Sequence, residues 1–178
     1  MIEVFSDRIE VRNPGESLID TARFIDSPPK SRNEGVASLM RRIEICEERG
    51  SGIDRVIEAI KQANLPAPDF VSADGVTRAV LYGPRPFSTL TRAERVRACY
   101  QHACLLHEQG RRATNTSLRA RFGVDQSQSA QVSRVFKDAL KDGVTKLADP
   151  DAPKGGGMYP TLPERRFACD LPAGNRVI

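Results

Sequence analysis

The chain has 178 residues and a formal net charge of +4, with 39% hydrophobic and 28% charged residues, values typical of one medium or two small soluble domains. Its apolar runs are far shorter than the ~18 residues of a membrane span, and no signal-peptide pattern opens the sequence. We therefore expect a cytoplasmic protein with no membrane partner, in which the four scattered cysteines are reduced thiols.

The first predicted elements are two short strands. Apolar residues alternate with polar ones at 2–4 and again at 9–11, which is the period of half-buried strands, and the polar stretch between them predicts a turn. The turn formers of Asn13–Gly15 end the second strand. Residues 16–33 show little periodicity, and we expect a loop there.

Two helices and a strand follow. Apolar residues within 34–48 recur every three or four positions and predict a helix, with a stripe that consists of Val36, Leu39, Met40 and Ile43. A second helix is predicted at about 53–64, with Asp54 in the first turn, where the helix dipole favours a negative charge. A last strand of this half is predicted at about 76–82.

Beyond this strand the pattern becomes helical. Gly83–Ser88 contains two prolines and a glycine, which predict a domain boundary. Helical periodicity then predicts helices at about 91–109, 115–121 and 128–142, followed by a short hairpin. Three helices and a hairpin are the plan of a winged helix, in which a short helix, a turn and a longer helix form the helix-turn-helix.

We therefore predict an α+β fold that is divided into two domains. Residues 1–83 form the first domain, 84–88 the linker and 89–160 the winged-helix domain. Residues 161–178 contain prolines and no clear period, and we expect a poorly ordered tail.

The basic charge is concentrated in the middle of the chain. Residues 85–146 carry 12 Lys and Arg against 5 Asp and Glu, a net charge of +7, whereas residues 1–84 have a net charge of −3. This distribution favours a polyanion as the partner of the middle part, and double-stranded DNA is the partner that we expect. The alternative is a solvated arginine-rich surface without a polyanionic partner.

The third helix of the predicted winged helix offers side chains for base recognition. Its outward positions carry Gln128, Gln131, Arg134 and Lys137. Glutamine can pair with adenine and arginine with guanine in the major groove. Arg119 and Arg121 are suited to contacts with backbone phosphates. The alternative is a protein-interaction surface, because winged helices also serve in dimerisation and other protein contacts.

A group of metal-binding residue types lies on the first helix of this domain. It consists of Cys99, His102, Cys104 and His107. On one helix these positions spread around the surface and cannot converge on a tetrahedral ion. We therefore predict no metal site.

A glycine pair, Gly50-Ser51-Gly52, separates the two helices of the first half. Backbone N–H groups in a Gly-x-Gly turn before a helix can bind a phosphate, assisted by the helix dipole. The alternative is a helix end followed by a serine N-cap, which explains the same residues without a ligand.

Several of these stretches together resemble one family. The matching pieces are Asp7-Arg8, Asn13–Gly15, Arg32-Asn33, Glu48 with Gly50–Ile53, and the helix at 131–143. Over most of residues 2–147 the sequence resembles the C-terminal region of bacterial RecG-related ATP-dependent DNA helicase and transcriptional regulator proteins. Those proteins join an AlbA/schlafen-type N-terminal domain to a GHKL-like ATPase segment and a helix-turn-helix.

The resemblance implies a partial GHKL-like α/β sandwich in residues 1–83 and a nucleotide site. Its nucleotide-binding residues would be Asp7, Gly15, Gly50, Ser51 and Gly52. ATP with Mg²⁺ would bind in the intact parent protein, whose Mg²⁺-holding helix precedes the first strand, where this sequence begins. One loop supplies neither a metal-held phosphate nor a positioned nucleophile, so we do not expect ATP hydrolysis or helicase activity from this chain alone.

The predicted function is that of a DNA-binding regulatory module, RecG-related, with a degenerate or incomplete ATP-binding segment. A first alternative is a nucleotide-binding segment that an N-terminal part, with its AlbA-type domain, completes. A second alternative is a protein-interaction module that forms a homodimer.

Overall fold

The computed structural model describes residues 1–45, 52–148 and 157–161. It mixes helices with antiparallel sheets, as expected for the α+β class. The elements follow in chain order as β1 (Ile2–Val4), β2 (Arg8–Pro14), α1 (Glu34–Arg42), α2 (Gly52–Gln62), β3 (Asp69–Ala73), β4 (Val76–Tyr82), α3 (Arg92–Glu108), α4 (Asn115–Phe122), α5 (Ser129–Lys141), β5 (Thr145–Leu147) and β6 (Met158–Pro160). Most of the expected tail, 162–178, lies outside the described residues. Among the described helices, none is long and apolar enough to cross a membrane.

The first half is built on a four-stranded antiparallel sheet with the strand order β1-β2-β4-β3. Strand β3 was not expected from the sequence. It is joined to β4 by a two-residue turn in which Asp74 and Gly75 both have positive φ, at 53° and 74°. This is the backbone conformation that hairpins favour and that an Asp-Gly pair supplies.

The two faces of this sheet differ in polarity. One face carries Glu10 with the arginines that surround it. On the other face, Ile2 and Val4 are 69% and 75% exposed, and Ile9 is exposed as well. A sheet normally buries its apolar face, whereas in this sheet the apolar residues of β1 and Ile9 of β2 are exposed.

Helix α1 is shorter than predicted. Asn33 caps it by accepting a hydrogen bond from the Val36 N–H at 3.0 Å. The helix ends at Arg42 rather than near residue 48, because Glu44 adopts a left-handed conformation with a φ of 58°. Its predicted apolar stripe is exposed, with Leu39 at 58%.

The second half has α3 at its centre. Thr91 and Glu94 form a capping box at the start of α3. The core of this half lies between α3, α4, α5 and the β5–β6 hairpin, and its most buried members include Cys99, Leu118, Val132 and Ala139. Phe87, in the expected linker, is part of the same core and lies 4.8 Å from Phe122 between ring centroids.

The two halves are in contact along α2 and α3. Ile57 of α2 is 1% exposed and belongs to a second core cluster with Tyr100, Cys104 and Leu105 of α3. The buried Gln101 side chain donates a hydrogen bond to the Pro68 carbonyl at 3.1 Å. A different side of α3, which includes Cys99, Ala103 and Leu106, packs against α4 and α5 in the main core.

Candidate functional site

Helix α4 and helix α5 form the frame of the candidate site. Thr114 and Ser117 make a capping box at the start of α4, and Gly123 ends the helix with a φ of 61°. Asp125 then accepts a hydrogen bond from the Ser127 N–H at 2.8 Å in the turn before α5. Each end of the connection is therefore held by local hydrogen bonds.

The inner face of α5 packs in the main core. It consists of Val132, Val135, Phe136 and Ala139, all buried. Because these positions recur at three and four residues, the opposite face is directed away from the core. That face carries Gln131, Arg134 and Lys137, which are all exposed. The structure therefore brings three of the predicted DNA-binding residues onto one surface.

The other predicted residues of this site are placed differently. Gln128 is the N-cap of α5 and is half-buried. Arg119 is half-buried on α4, where its Nε donates to Asn115 Oδ1 at 3.0 Å and its Nη2 to Thr116 Oγ1 at 3.3 Å. Arg119 therefore lies on the α4 side of the surface formed by α5.

Arg121 lies in the interior. The prediction that its side chain faces phosphates does not agree with its position, because the residue is only 5% exposed. Leu118 and Arg121 are three positions apart on α4 and therefore point to the same, inward side. Burial lowers the pKa of Arg121 to about 10, and the charge of Glu58 opposes this shift.

Two further exposed lysines follow Lys137 in the chain. Lys141 lies in the last turn of α5 and Lys146 lies in β5. The one acidic residue of α5, Asp138, pairs with Arg92 at 3.3 Å, and Asp142 just after the helix pairs with the same arginine at 2.7 Å. The pKa of Asp142 is lowered, mainly by its hydrogen bond to Arg92. Neither lysine is among the residues predicted for this site from the sequence.

The β5–β6 hairpin is attached beside the start of α4. Ala113 and Met158 exchange two backbone hydrogen bonds at 3.0 and 2.8 Å. Arg112 donates from Nε to the Tyr159 hydroxyl at 3.2 Å, and its guanidinium lies 5.8 Å from the centroid of that ring. The hairpin is therefore tied to the same frame as α4 and α5.

The cysteines and the first histidine of the metal-like group are core residues. Cys99, Cys104 and His102 are buried, and burial raises the pKa of Cys99 to about 12. The part of the chain that the structure describes contains no group of three side chains arranged to hold a metal ion.

The predicted nucleotide-binding residues occupy two regions. Asp7 lies in the exposed β1–β2 turn and pairs with Arg8 at 3.0 Å. Gly15 has a φ of 100° and donates from its N–H to the Gly75 carbonyl at 2.6 Å, at the end of the sheet. Gly52 is the first residue of α2, whereas Gly50 and Ser51 lie outside the described residues.

A buried carboxylate on the sheet was not predicted. Glu10 accepts hydrogen bonds from Arg8 at 2.7 Å, Arg12 at 2.8 Å and Arg78 at 3.3 Å. These bonds, that from Arg8 first, lower the pKa of Glu10 to about 2. The signal in the sequence is a glutamate with arginines two positions before and after it on one strand face.

Comparisons with known proteins match the first half of the chain to a family. The model of the family described as "Putative ATP-dependent DNA helicase recG C-terminal" matches residues 1–81. No curated protein matches the chain. Among solved structures, the DIP2311 protein of Corynebacterium diphtheriae is similar with 15% identity and a TM-score of 0.41, over 86% of this chain and 29% of that one. The present chain thus spans less than a third of that protein. The resemblance inferred from the sequence is therefore confirmed for residues 1–81, which match the RecG C-terminal family.

Proposed function

We propose that this chain is a DNA-binding regulatory module in which residues 89–160 act as a winged helix. Helix α5 would enter the major groove of duplex DNA, and the β5–β6 hairpin would be the wing. The order of three helices and an antiparallel hairpin supports this proposal, as does the match of residues 1–81 to a family with a DNA helicase description.

The observation that carries the proposal is the exposed face of α5. Gln131, Arg134 and Lys137 point away from the core, and their side chains can reach base edges or phosphates. Arg92 pairs with Asp138, the one acidic residue of α5, and with Asp142 just after the helix, so these carboxylates are directed to Arg92 rather than to the cationic groups of this face. The net charge of +7 over residues 85–146 adds a general attraction for a polyanion.

Fluorescence anisotropy of a labelled DNA duplex tests this proposal. The full chain should bind at low salt, and the logarithm of the binding constant should fall linearly with the logarithm of the salt concentration. Absence of binding at low salt, together with a mass that rises with protein concentration, would instead favour the protein-interaction alternative.

A second candidate function is a nucleotide-binding segment that another part of the parent protein completes. Two observations favour it: the family match over residues 1–81, and the exposed apolar surface of the sheet and of α1. Asp7, Gly15 and Gly52, with Gly50 and Ser51, would contribute to the site. ATP and Mg²⁺ should raise the thermal stability of this chain only slightly when it is alone. They should raise it clearly more when the completing part of the parent protein is present.

The matched measurement is the thermal midpoint with and without ATP and Mg²⁺, for the chain alone and for the parent protein. A nucleotide-dependent rise in the parent protein that a Gly52→Val substitution removes would support this candidate. An equal midpoint in both conditions for both proteins would contradict it.

A further inference from the structure

We propose that Asn115 is the positioning residue of the DNA-binding face, and that it holds Arg119 ready for a phosphodiester group of the duplex. This inference rests on the proposed DNA-binding function. Asn115 is uncharged, and its role depends on the hydrogen bonds of its side-chain amide.

The amide of Asn115 is fully used. Its Nδ2 donates to the Ser129 carbonyl at 3.0 Å and to the Ser133 hydroxyl at 2.9 Å. Its Oδ1 accepts from the Ser129 hydroxyl at 3.1 Å and from Arg119 Nε at 3.0 Å. An asparagine amide can donate two hydrogen bonds and accept two, so this side chain meets its whole capacity.

These bonds join the first turn of α4 to the first turn of α5. Asn115 is the first residue of α4, and Ser129 is the first residue of α5. The same bonds hold the amide of Asn115 in one orientation, in which its Oδ1 accepts from Arg119 Nε.

Arg119 is held by two neutral partners. Asn115 Oδ1 fixes its Nε, and Thr116 Oγ1 accepts from its Nη2 at 3.3 Å. A guanidinium has five N–H donors, so those not used by these two bonds can meet an anion. Among the described residues, its hydrogen-bond partners are neutral, and the carboxylate of Asp125 interacts with its charge without a hydrogen bond to it. Because the side chain is already ordered, less entropy is lost when it binds.

The ligand that fits this arrangement is a backbone phosphate rather than a base edge. Arg119 lies on α4, the helix that crosses the backbone when the following helix occupies the groove. Its contact would therefore carry little sequence information, and its loss should weaken binding to all duplexes alike.

The test is a double-mutant cycle with Asn115→Ala and Arg119→Ala in the full chain. We expect each single variant to weaken DNA binding about tenfold at low salt and to reduce the salt slope by about one. If Asn115 acts through Arg119, the double variant should bind no more weakly than Arg119→Ala alone. The salt slope is the readout that a merely structural role of Asn115 would leave unchanged.

A second variant keeps the inference testable if Asn115→Ala does not fold. Thr116→Ala removes only the other bond to Arg119 and leaves the link between α4 and α5 intact. Thr116→Ala should weaken DNA binding about two- to threefold, which corresponds to the loss of one weak hydrogen bond. In a chain that already carries Arg119→Ala, it should have no further effect on DNA binding.

The outcomes separate the inference from the proposed function. If the unaltered chain does not bind DNA, the proposed function fails. If it binds and Arg119→Ala weakens binding, but Asn115→Ala leaves affinity and salt slope unchanged or adds fully to Arg119→Ala, the inference about Asn115 alone is overturned.

Discussion

His102 of α3 and Ser117 of α4 meet in the interior, with 3.1 Å between the histidine Nε2 and the serine hydroxyl oxygen. Ser117 is also the capping-box partner of Thr114, so the contact joins the centre of the helical half to the start of α4. Burial, followed by the nearby charges of Lys61 and Arg121, lowers the pKa of His102 to about 4.

The first prediction concerns the dependence of stability on pH. Because the pKa of His102 is lower in the folded state than its ordinary value of about 6.5, the unfolded chain takes up the proton first as the pH falls. The contribution of neutral His102 to the free energy of unfolding should be fully present above pH 6.5 and should be lost progressively as the pH falls towards 4. The full effect is on the order of 3 kcal/mol.

Urea unfolding at several pH values between 7.5 and 4.5 measures this effect, with His102→Gln as the matched variant. Glutamine can keep a hydrogen bond to Ser117 but does not titrate. The variant should lose less stability than the unaltered protein over this range. Equal losses in the two proteins would show that His102 is not the group responsible.

The second prediction separates Arg121 from Arg119. The Nη2 of Arg121 has no hydrogen-bond partner within the described residues, and its charge is buried. A buried charge that lacks hydrogen-bond partners is costly, so its replacement by an apolar group of similar volume removes that cost. Arg121→Met should therefore keep the free energy of unfolding or raise it by about 1 kcal/mol.

Arg121→Met should also leave DNA affinity within about twofold, whereas Arg119→Ala should weaken binding by the loss of a phosphate contact. Urea denaturation and fluorescence anisotropy on the same two variants give both quantities. A loss of affinity in Arg121→Met as large as that in Arg119→Ala would restore Arg121 to the DNA-binding surface.

The third prediction concerns Glu10. Its carboxylate accepts from Arg8, Arg12 and Arg78, so Glu10→Gln would leave three arginines around a neutral group. We expect a lower urea midpoint, because removing one member of a network leaves its partners without their charge. Glu3→Gln is the matched control, since Glu3 pairs with Arg12 at 3.0 Å but is half-exposed.

Because the pKa of Glu10 is lowered in the folded state, its contribution to stability should decrease as the pH falls. Its stabilising contribution should be present above pH 4.5 and disappear as the pH falls towards 2. Unfolding curves of the unaltered protein and of Glu10→Gln should therefore converge in acid. If Glu3→Gln destabilises the protein as much as Glu10→Gln, the arginine cluster is not centred on Glu10.

The order of the helices could be predicted because their apolar periods are long. The ranges predicted for α3 and α5, 91–109 and 128–142, agree closely with Arg92–Glu108 and Ser129–Lys141. Four buried apolar residues on α5 define its inner face, so the outward positions of Arg134 and Lys137 followed from the same pattern. Strand β3 was missed because the prolines before it predict a loop. The Asp74-Gly75 pair after it, which predicts a hairpin turn, was not used.

Other parts of the site depend on contacts that the sequence does not display. Helix α4 has only eight residues, too few for its period to decide which arginine faces the core, and Arg121 was therefore misplaced. The bonds of Asn115 to Ser129 and Ser133 join two helices across a turn, and no local pattern predicts them. The exposure of α1 likewise depends on tertiary packing rather than on its apolar stripe.

The central claim is that the exposed face of α5 binds duplex DNA, and Arg134 tests it most directly. Fluorescence anisotropy on a preferred duplex should compare Arg134→Ala with Arg42→Ala, which removes the same charge from exposed α1. A bidentate base contact is worth about 1–3 kcal/mol, so Arg134→Ala should weaken binding to the preferred duplex by that amount. The difference in affinity between the preferred duplex and a random duplex should therefore become smaller. Arg42→Ala should leave binding nearly unchanged. Equal effects of the two substitutions, or no binding by the unaltered chain at low salt, would contradict the claim.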